Sequence, residues 1–185
     1  MWTVPNMLTL ARLAAAPFVA LAFAAFERPT ADLLACAVFA LAAATDWLDG
    51  RLARAWGQES PLGRLLDPIA DKAIVMIALA AICGAHGLGW AVAVPVAAII
   101  LRETAVAGLR EALAGRLALP VTRLAKLKTA AQMVAIALLL AAGALGGWAL
   151  TAGLALLWAA AALTLATGWD YFSRGAAWLA REGRR

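Results

Sequence analysis

Six apolar stretches, each close to the length of a membrane crossing, dominate this chain. A membrane-spanning helix needs about 20 mostly apolar residues. Stretches of that kind run over roughly Pro5–Phe26, Ala31–Arg54, Leu62–Gly84, Trp90–Ala114, Arg123–Ala142 and Trp148–Phe172. The 185 residues are 65% hydrophobic and 15% charged, with a mean hydropathy of +0.85. A soluble domain of this size cannot hide so much apolar surface. The expected fold is therefore all-α: a polytopic membrane protein with six transmembrane helices in one membrane-embedded domain spanning residues 1–185. The opening MWTVPNMLTLAR has no basic leader region, and no small-residue cleavage site followed by a polar chain. The first apolar stretch is expected to be retained. Cys36 and Cys83 lie inside apolar runs and read as small buried hydrophobes, with neither a disulfide nor a metal assigned to them.

The basic residues orient the chain. With a cytoplasmic N-terminus, the outer turns are 27–32, 84–89 and 143–147, and they hold one basic residue, Arg28. The other fifteen of the sixteen Lys and Arg fall at cytoplasmic helix ends or in cytoplasmic segments. That asymmetry predicts an N-in, C-in topology. It also explains the net charge of +5 as attraction to anionic lipid. Nucleic acid is not an expected partner; the lipid bilayer is.

Within this apolar chain, DWLDGRLARAWGQESPLGRLLDPIAD carries four aspartates. Asp46 and Asp49 are three residues apart; Asp67 and Asp71 are four apart. Each pair shares a helix face. Carboxylates cannot snorkel far, and ionisable residues in membrane helices face a cavity or a partner. Four of them repel one another unless a cation sits among them. Oxygen-only ligands suit a hard divalent ion such as Mg²⁺ or Mn²⁺. Gly50, Ala53 and Gly63 are small enough for either a ligand or a neighbouring helix to approach the backbone. Arg54 can present a two-pronged contact to phosphate.

At fixed spacing these residues read Asp46-x2-Asp49-Gly50-x2-Ala53-Arg54-x8-Gly63-x3-Asp67-x3-Asp71. The pattern resembles the signature of the CDP-alcohol phosphotransferase family at every defining position. That resemblance implies a six-helix membrane enzyme, usually a homodimer, which displaces CMP from a CDP-linked lipid or alcohol with a hydroxyl nucleophile. It implies that Asp46, Asp49, Asp67 and Asp71 hold one or two divalent ions. The cytidine diphosphate would lie against Asp46, Asp49, Gly50, Ala53, Arg54, Gly63 and Asp67. Asp71 would be the general base.

The acceptor is read from the remaining charged half-helices. Arg102, Arg110, Arg123, Lys126 and Lys128 bring five cations toward the same cytoplasmic end. An uncharged alcohol does not need them, whereas a phosphorylated one does. Arg116, in a loop, reads as a topology signal. Four further segments resemble the glycerol 3-phosphate branch of the same family. They are Pro5-Asn6-x-Leu8-Thr9-x-x-Arg12, Thr45–Gly50, Arg102-Glu103-x5-Gly108-Leu109-Arg110 and Lys126-x-Lys128-Thr129-x2-Gln132. This implies transfer of phosphatidyl from CDP-diacylglycerol to glycerol 3-phosphate, at the cytoplasmic face of a bacterial inner membrane. Asp170 and Tyr171 in the last helix receive no role. The competing readings are a sister enzyme using inositol phosphate, a cardiolipin synthase, an intramembrane prenyltransferase and a divalent-cation transporter. A transporter would place carboxylates near mid-membrane with exits on both sides, but these carboxylates cluster at one end.

Overall fold

Local chemistry sets the helix starts. The Thr3 side chain accepts a hydrogen bond from the Asn6 amide at 3.4 Å, and Pro5 sits in the first turn of α1, Val4–Ala25. Both are N-terminal signals, because the first amides of a helix have no partner within it. The same device opens the third helix. Ser60 accepts from the Gly63 amide at 3.0 Å and Pro61 follows it. The remaining helices are α2, Thr30–Trp56; α3, Pro61–His86; α4, Trp90–Ala112; α5, Arg123–Leu140; α6, Ala142–Leu145; and α7, Gly147–Glu182. The computed structural model describes residues 3–56, 60–112 and 123–182. Within these, the side chains of 47, 49–56, 64, 110, 112, 123, 170, 174 and 176–182 lie outside the description.

The described residues contain helices and no strand, as expected. Two details differ from the sequence expectation. The glycine-bearing turn after α5 holds a one-turn helix, α6. The last helix runs to Glu182 rather than ending near Phe172. Its extension, SRGAAWLARE, is rich in Ala, Leu, Arg and Glu, good helix formers that prolong a helix already nucleated. Three helical segments among the described residues are long and apolar enough to cross a bilayer: Val4–Ala25, Trp90–Leu109 and Gly147–Ser173. They mark a membrane protein. Helices α2, α3 and α5 are of similar length but carry charge in their last or first turns. Trp90 and Trp148, both exposed, stand at the starts of α4 and α7. Such positions suit the aromatic belt of a membrane interface.

The helices pack as two groups. Helix α1 lies against α2 and α3, while α7 lies against α4 and α5. The groups meet where α5 touches α2 and α3, and where α4 touches α3. Phe39, Leu79, Ile82, Ile99, Ile136, Leu139 and Leu157 fill the centre. Alanines at 16, 35, 42, 78, 135 and 161 keep the helices close. In lipid, where water does not drive helices together, that closeness supplies the packing. Both cysteines are free and only half-buried, less enclosed than their place inside apolar runs suggested.

Asp32, near the start of α2, is fully buried. Its Oδ1 accepts the Gly143 amide at 3.2 Å, and its Oδ2 lies 3.6 Å from Arg28 Nε. Arg28 also donates to the Ala85 carbonyl at 2.9 Å, and His86 Nε2 sits 2.8 Å from the Leu139 carbonyl. This polar cluster ties α2, α3, α5 and α6 at the end opposite Asp46 and Asp71. Arg28, the single basic residue in the turns read as external, is thus held by protein. Asp32→Ala is expected to cost about 1–3 kcal/mol, the scale for orphaning buried donors. It should lower the thermal unfolding midpoint in detergent, with activity per folded molecule unchanged.

Candidate active site

Helix α1 delivers three polar side chains along one face. Asn6, Thr9 and Arg12 recur at intervals of three in an otherwise apolar helix, and each is at most 2% exposed. Buried polar groups need partners, and all three find them in the aspartate segment. The Asn6 side-chain amide donates to the Ser60 hydroxyl at 2.8 Å, fixing the residue that caps α3. The Thr9 hydroxyl lies 2.8 Å from Asp67 Oδ1. Arg12 NH1 lies 2.6 Å from Asp46 Oδ1 and 2.6 Å from Asp71 Oδ1.

Three of the four carboxylates, Asp46, Asp67 and Asp71, are thus held by one face of α1. Asp46, ten residues before the end of α2, and Asp71, ten residues after the start of α3, are half-exposed and share one guanidinium nitrogen. Asp67 stands one turn before Asp71 on the same helix. The sequence argument required a cation among these groups, and among the described side chains that cation is Arg12. Its side chain is 1% exposed, so the guanidinium end of the contact is shielded from water, while the two carboxylates stay half-exposed. Pro68 lies between the two α3 aspartates. It removes one backbone N–H from the helix beside the cavity, a break tolerated in a membrane helix that lines a polar space.

Gly63 is closely packed. A Cβ there would come within 2.8 Å of Asn6 Oδ1 and 3.3 Å of Ser60 Oγ. In this structure its close neighbour is helix α1, the packing alternative of the two left open by sequence. Asp49, Gly50, Ala53 and Arg54 lie in α2, and their side chains are outside the described residues. Among the described residues, no three His, Cys, Asp or Glu side chains form a ready-made metal cluster.

Across from the aspartates lies the basic wall. A cavity of about 450 Å³ is lined by Asp67, Asp71 and Lys72 of α3, Arg102 and Glu103 of α4, Lys128 and Gln132 of α5, and Tyr171 of α7. It sits at the seam between the two helix groups. Two of the five expected acceptor cations, Arg102 and Lys128, are on its wall and almost wholly buried. Lys126 is exposed and is not among the lining residues. It lies two positions from Lys128, which on a helix turns it about 200° away. Arg110 and Arg123 have side chains outside the described residues. Lys72 of α3 adds a third basic residue to the lining.

Sequence reasoning missed two contributions. The α1 face of Asn6, Thr9 and Arg12 was noticed only as part of a resemblance, although polar residues at intervals of three in an apolar helix were a readable signal. Tyr171 and Thr167 were the other omission. The Arg102 guanidinium lies 5.7 Å from the Tyr171 ring centroid and donates to Thr167 Oγ1 at 3.3 Å. Helix α7 therefore helps to build the site.

This one-sided polar seam, with carboxylates facing cations at one end of a helical membrane bundle, agrees with the comparison to known proteins. The chain belongs to the CDP-alcohol phosphatidyltransferase family, whose model matches residues 2–166. Curated relatives narrow the class. A protein of Cereibacter sphaeroides is 44% identical over 98% of this chain and 99% of its own length. One of Escherichia coli K12 is 40% identical over 93% and 94%, and one of Salmonella choleraesuis is 39% identical over 93% and 94%. All three are named CDP-diacylglycerol–glycerol-3-phosphate 3-phosphatidyltransferase.

Removing Arg12 leaves two carboxylates facing each other. Arg12→Gln is expected to lower stability by about 1.5–3 kcal/mol, the scale of hydrogen bonds to charged groups. The readout is thermal unfolding in detergent with EDTA present. Arg12→Lys, which keeps the charge but offers a point contact, should recover part of the loss.

Proposed function

We propose that this protein transfers the phosphatidyl group of CDP-diacylglycerol to glycerol 3-phosphate, giving phosphatidylglycerol phosphate and CMP. The observation that carries the reading is the cavity itself, with Asp67 and Asp71 on one wall and Arg102 and Lys128 on the other. The carboxylate wall is the place for a diphosphate with its counter-ion. The cationic wall is the place for a second anionic substrate. The relatives that match along nearly the whole chain carry the name of this reaction.

The transfer balances simply. A hydroxyl oxygen of glycerol 3-phosphate forms a bond to the phosphorus that bears the diacylglycerol. The bond from that phosphorus to the bridging oxygen breaks, and CMP leaves with the electron pair. The hydroxyl proton passes to Asp71, which stands in the cavity between the two substrates' walls. Arg12 holds the Asp71 carboxylate toward Asp46, so the base is aimed rather than free to rotate. Arg102 and Lys128 hold the acceptor's phosphate and set its hydroxyl on the Asp71 side. Arg54, a residue of the signature, would meet the departing phosphate.

Mg²⁺ or Mn²⁺ belongs to the proposal. The donors present are carboxylate oxygens, two of which already gather around one positive charge, and this fits a hard divalent ion. Asp46, Asp49, Asp67 and Asp71 would hold it. Bound there, it neutralises diphosphate charge and orients the leaving CMP. The apolar run lengths support six crossings and the distribution of Lys and Arg supports an N-in, C-in orientation, which would put the site at the cytoplasmic face; a bacterial inner membrane is the natural home. The homodimer implied by the family resemblance is part of the same reading and is measured by cross-linking in membranes.

The decisive assay supplies purified protein with CDP-diacylglycerol, a divalent ion and a panel of acceptors. CMP release is expected with glycerol 3-phosphate and not with inositol phosphate, phosphatidylglycerol or serine; release with inositol phosphate alone overturns the acceptor. EDTA should abolish turnover, and Mn²⁺ or Mg²⁺ should restore it. Asp71→Asn should reduce turnover by about a hundredfold or more, within the range for a lost general base, while CDP-diacylglycerol still binds. Normal turnover in that variant would remove Asp71 from the proton step.

A further inference from the structure

The cationic wall is not open-handed. Arg102 NH1 donates to Glu103 Oε1 at 2.9 Å, and Lys128 Nζ donates to the same oxygen at 2.5 Å. Both cations that the acceptor phosphate would meet thus converge on one carboxylate oxygen. That oxygen belongs to a residue which itself lines the cavity.

The surroundings keep the two cations fixed while leaving room for exchange. Arg102 is anchored from α7 by Thr167 and Tyr171. Gly168 permits the approach, since a Cβ there would fall 2.9 Å from Arg102 Cγ. Lys128 is 5% exposed and Arg102 8%, so neither can swing into solvent. Gln132, also buried, keeps its Oε1 without a hydrogen-bond partner. Glu103 is the more accessible member, with its side chain 23% exposed.

We infer that Glu103 is a specificity-determining residue: its carboxylate stands in for the acceptor's phosphate on Arg102 and Lys128 and is exchanged for it when substrate binds. The physical reason is a competition between oxyanions. A phosphate monoester offers up to two negative charges and three oxygens to the pair, against one charge and one shared oxygen from Glu103. A carboxylate or neutral acceptor offers too little to win the exchange. The same competition limits how tightly a phosphate is held, so the phosphorylated lipid product is released when Glu103 returns. Discrimination of this kind is a difference of affinities, set by what the ligand must displace. The inference rests on the reading that glycerol 3-phosphate occupies this cavity.

The test is steady-state kinetics and calorimetric glycerol 3-phosphate binding on the full-length protein in detergent. Glu103→Gln keeps the shape and removes the competing charge. It should bind glycerol 3-phosphate about tenfold more tightly, equivalent to about 1.4 kcal/mol. The acceptor KM should fall and kcat should fall with it, because product leaves more slowly. The KM for CDP-diacylglycerol should not move; a shift there instead would mean that the displaced anion is the nucleotide lipid's phosphate, and would overturn the inference. Glu103→Asp, whose shorter carboxylate cannot bridge both cations as well, should fall between wild type and Glu103→Gln, and serves if the latter folds poorly. Unchanged or weaker glycerol 3-phosphate binding in both variants would reduce Glu103 to a brace between α4 and α5. Lys128→Gln separates the two layers. If it raises the acceptor KM while the Glu103 variants fail to tighten binding, the exchange alone is wrong; if it leaves the acceptor KM unchanged, the acceptor's placement falls too.

Discussion

The bridge from Arg12 to Asp46 and Asp71 is the contact on which the rest of the site depends. It joins three helices through one nitrogen atom, across 34 and 59 residues of sequence. Two carboxylates at helix ends in an apolar bundle would push apart if left alone. A buried guanidinium between them turns that repulsion into an anchor, and it does so where α2 and α3 barely touch each other directly but both pack on α1. Thr9 on Asp67 and Asn6 on Ser60 extend the same logic along one face of α1. A helix that looks like a plain membrane crossing is therefore the scaffold for the carboxylate wall.

The second helix group provides the opposing charge. Arg102 and Lys128 come from α4 and α5, and α7 fixes Arg102 through a hydroxyl and an aromatic ring. The cavity proposed for the substrates thus lies at a seam rather than within a single bundle core. This suits a reaction that joins a lipid to a small phosphate ester. In the proposed reading one wall handles the diphosphate and the other the acceptor, and small relative movements of the two groups would alter the distance between reacting atoms. The other end of the bundle is tied together by the Asp32 cluster.

Much of this was readable from sequence because the constraints were local. Six helices follow from apolar run lengths. The pairing of Asp46 with Asp49, and of Asp67 with Asp71, follows from helical spacing, and the cation requirement follows from charge repulsion. Arg102 and Lys128 were legible as cations of the cavity because charge in a membrane helix faces a cavity or a partner. Lys126 was grouped with them by proximity in sequence, and the helix period turns it elsewhere. The extent of α7 was misjudged because a basic tail and a helix with basic residues have the same composition.

What the sequence by itself determined is the class: an all-helical membrane protein of this family, with its acidic signature gathered at one end. Periodicity, hydropathy and charge repulsion act over a few residues, so a linear chain displays them. Only the tertiary structure decided which charges meet. It placed Arg12 among the aspartates, set Tyr171 over Arg102, and put Glu103 between two cations from different helices. The contacts between different helices join residues 25 to 69 positions apart, and no local pattern encodes how one helix face is turned toward another. Burial settles that, by leaving each membrane-buried polar group few partners other than the ones the packing brings to it.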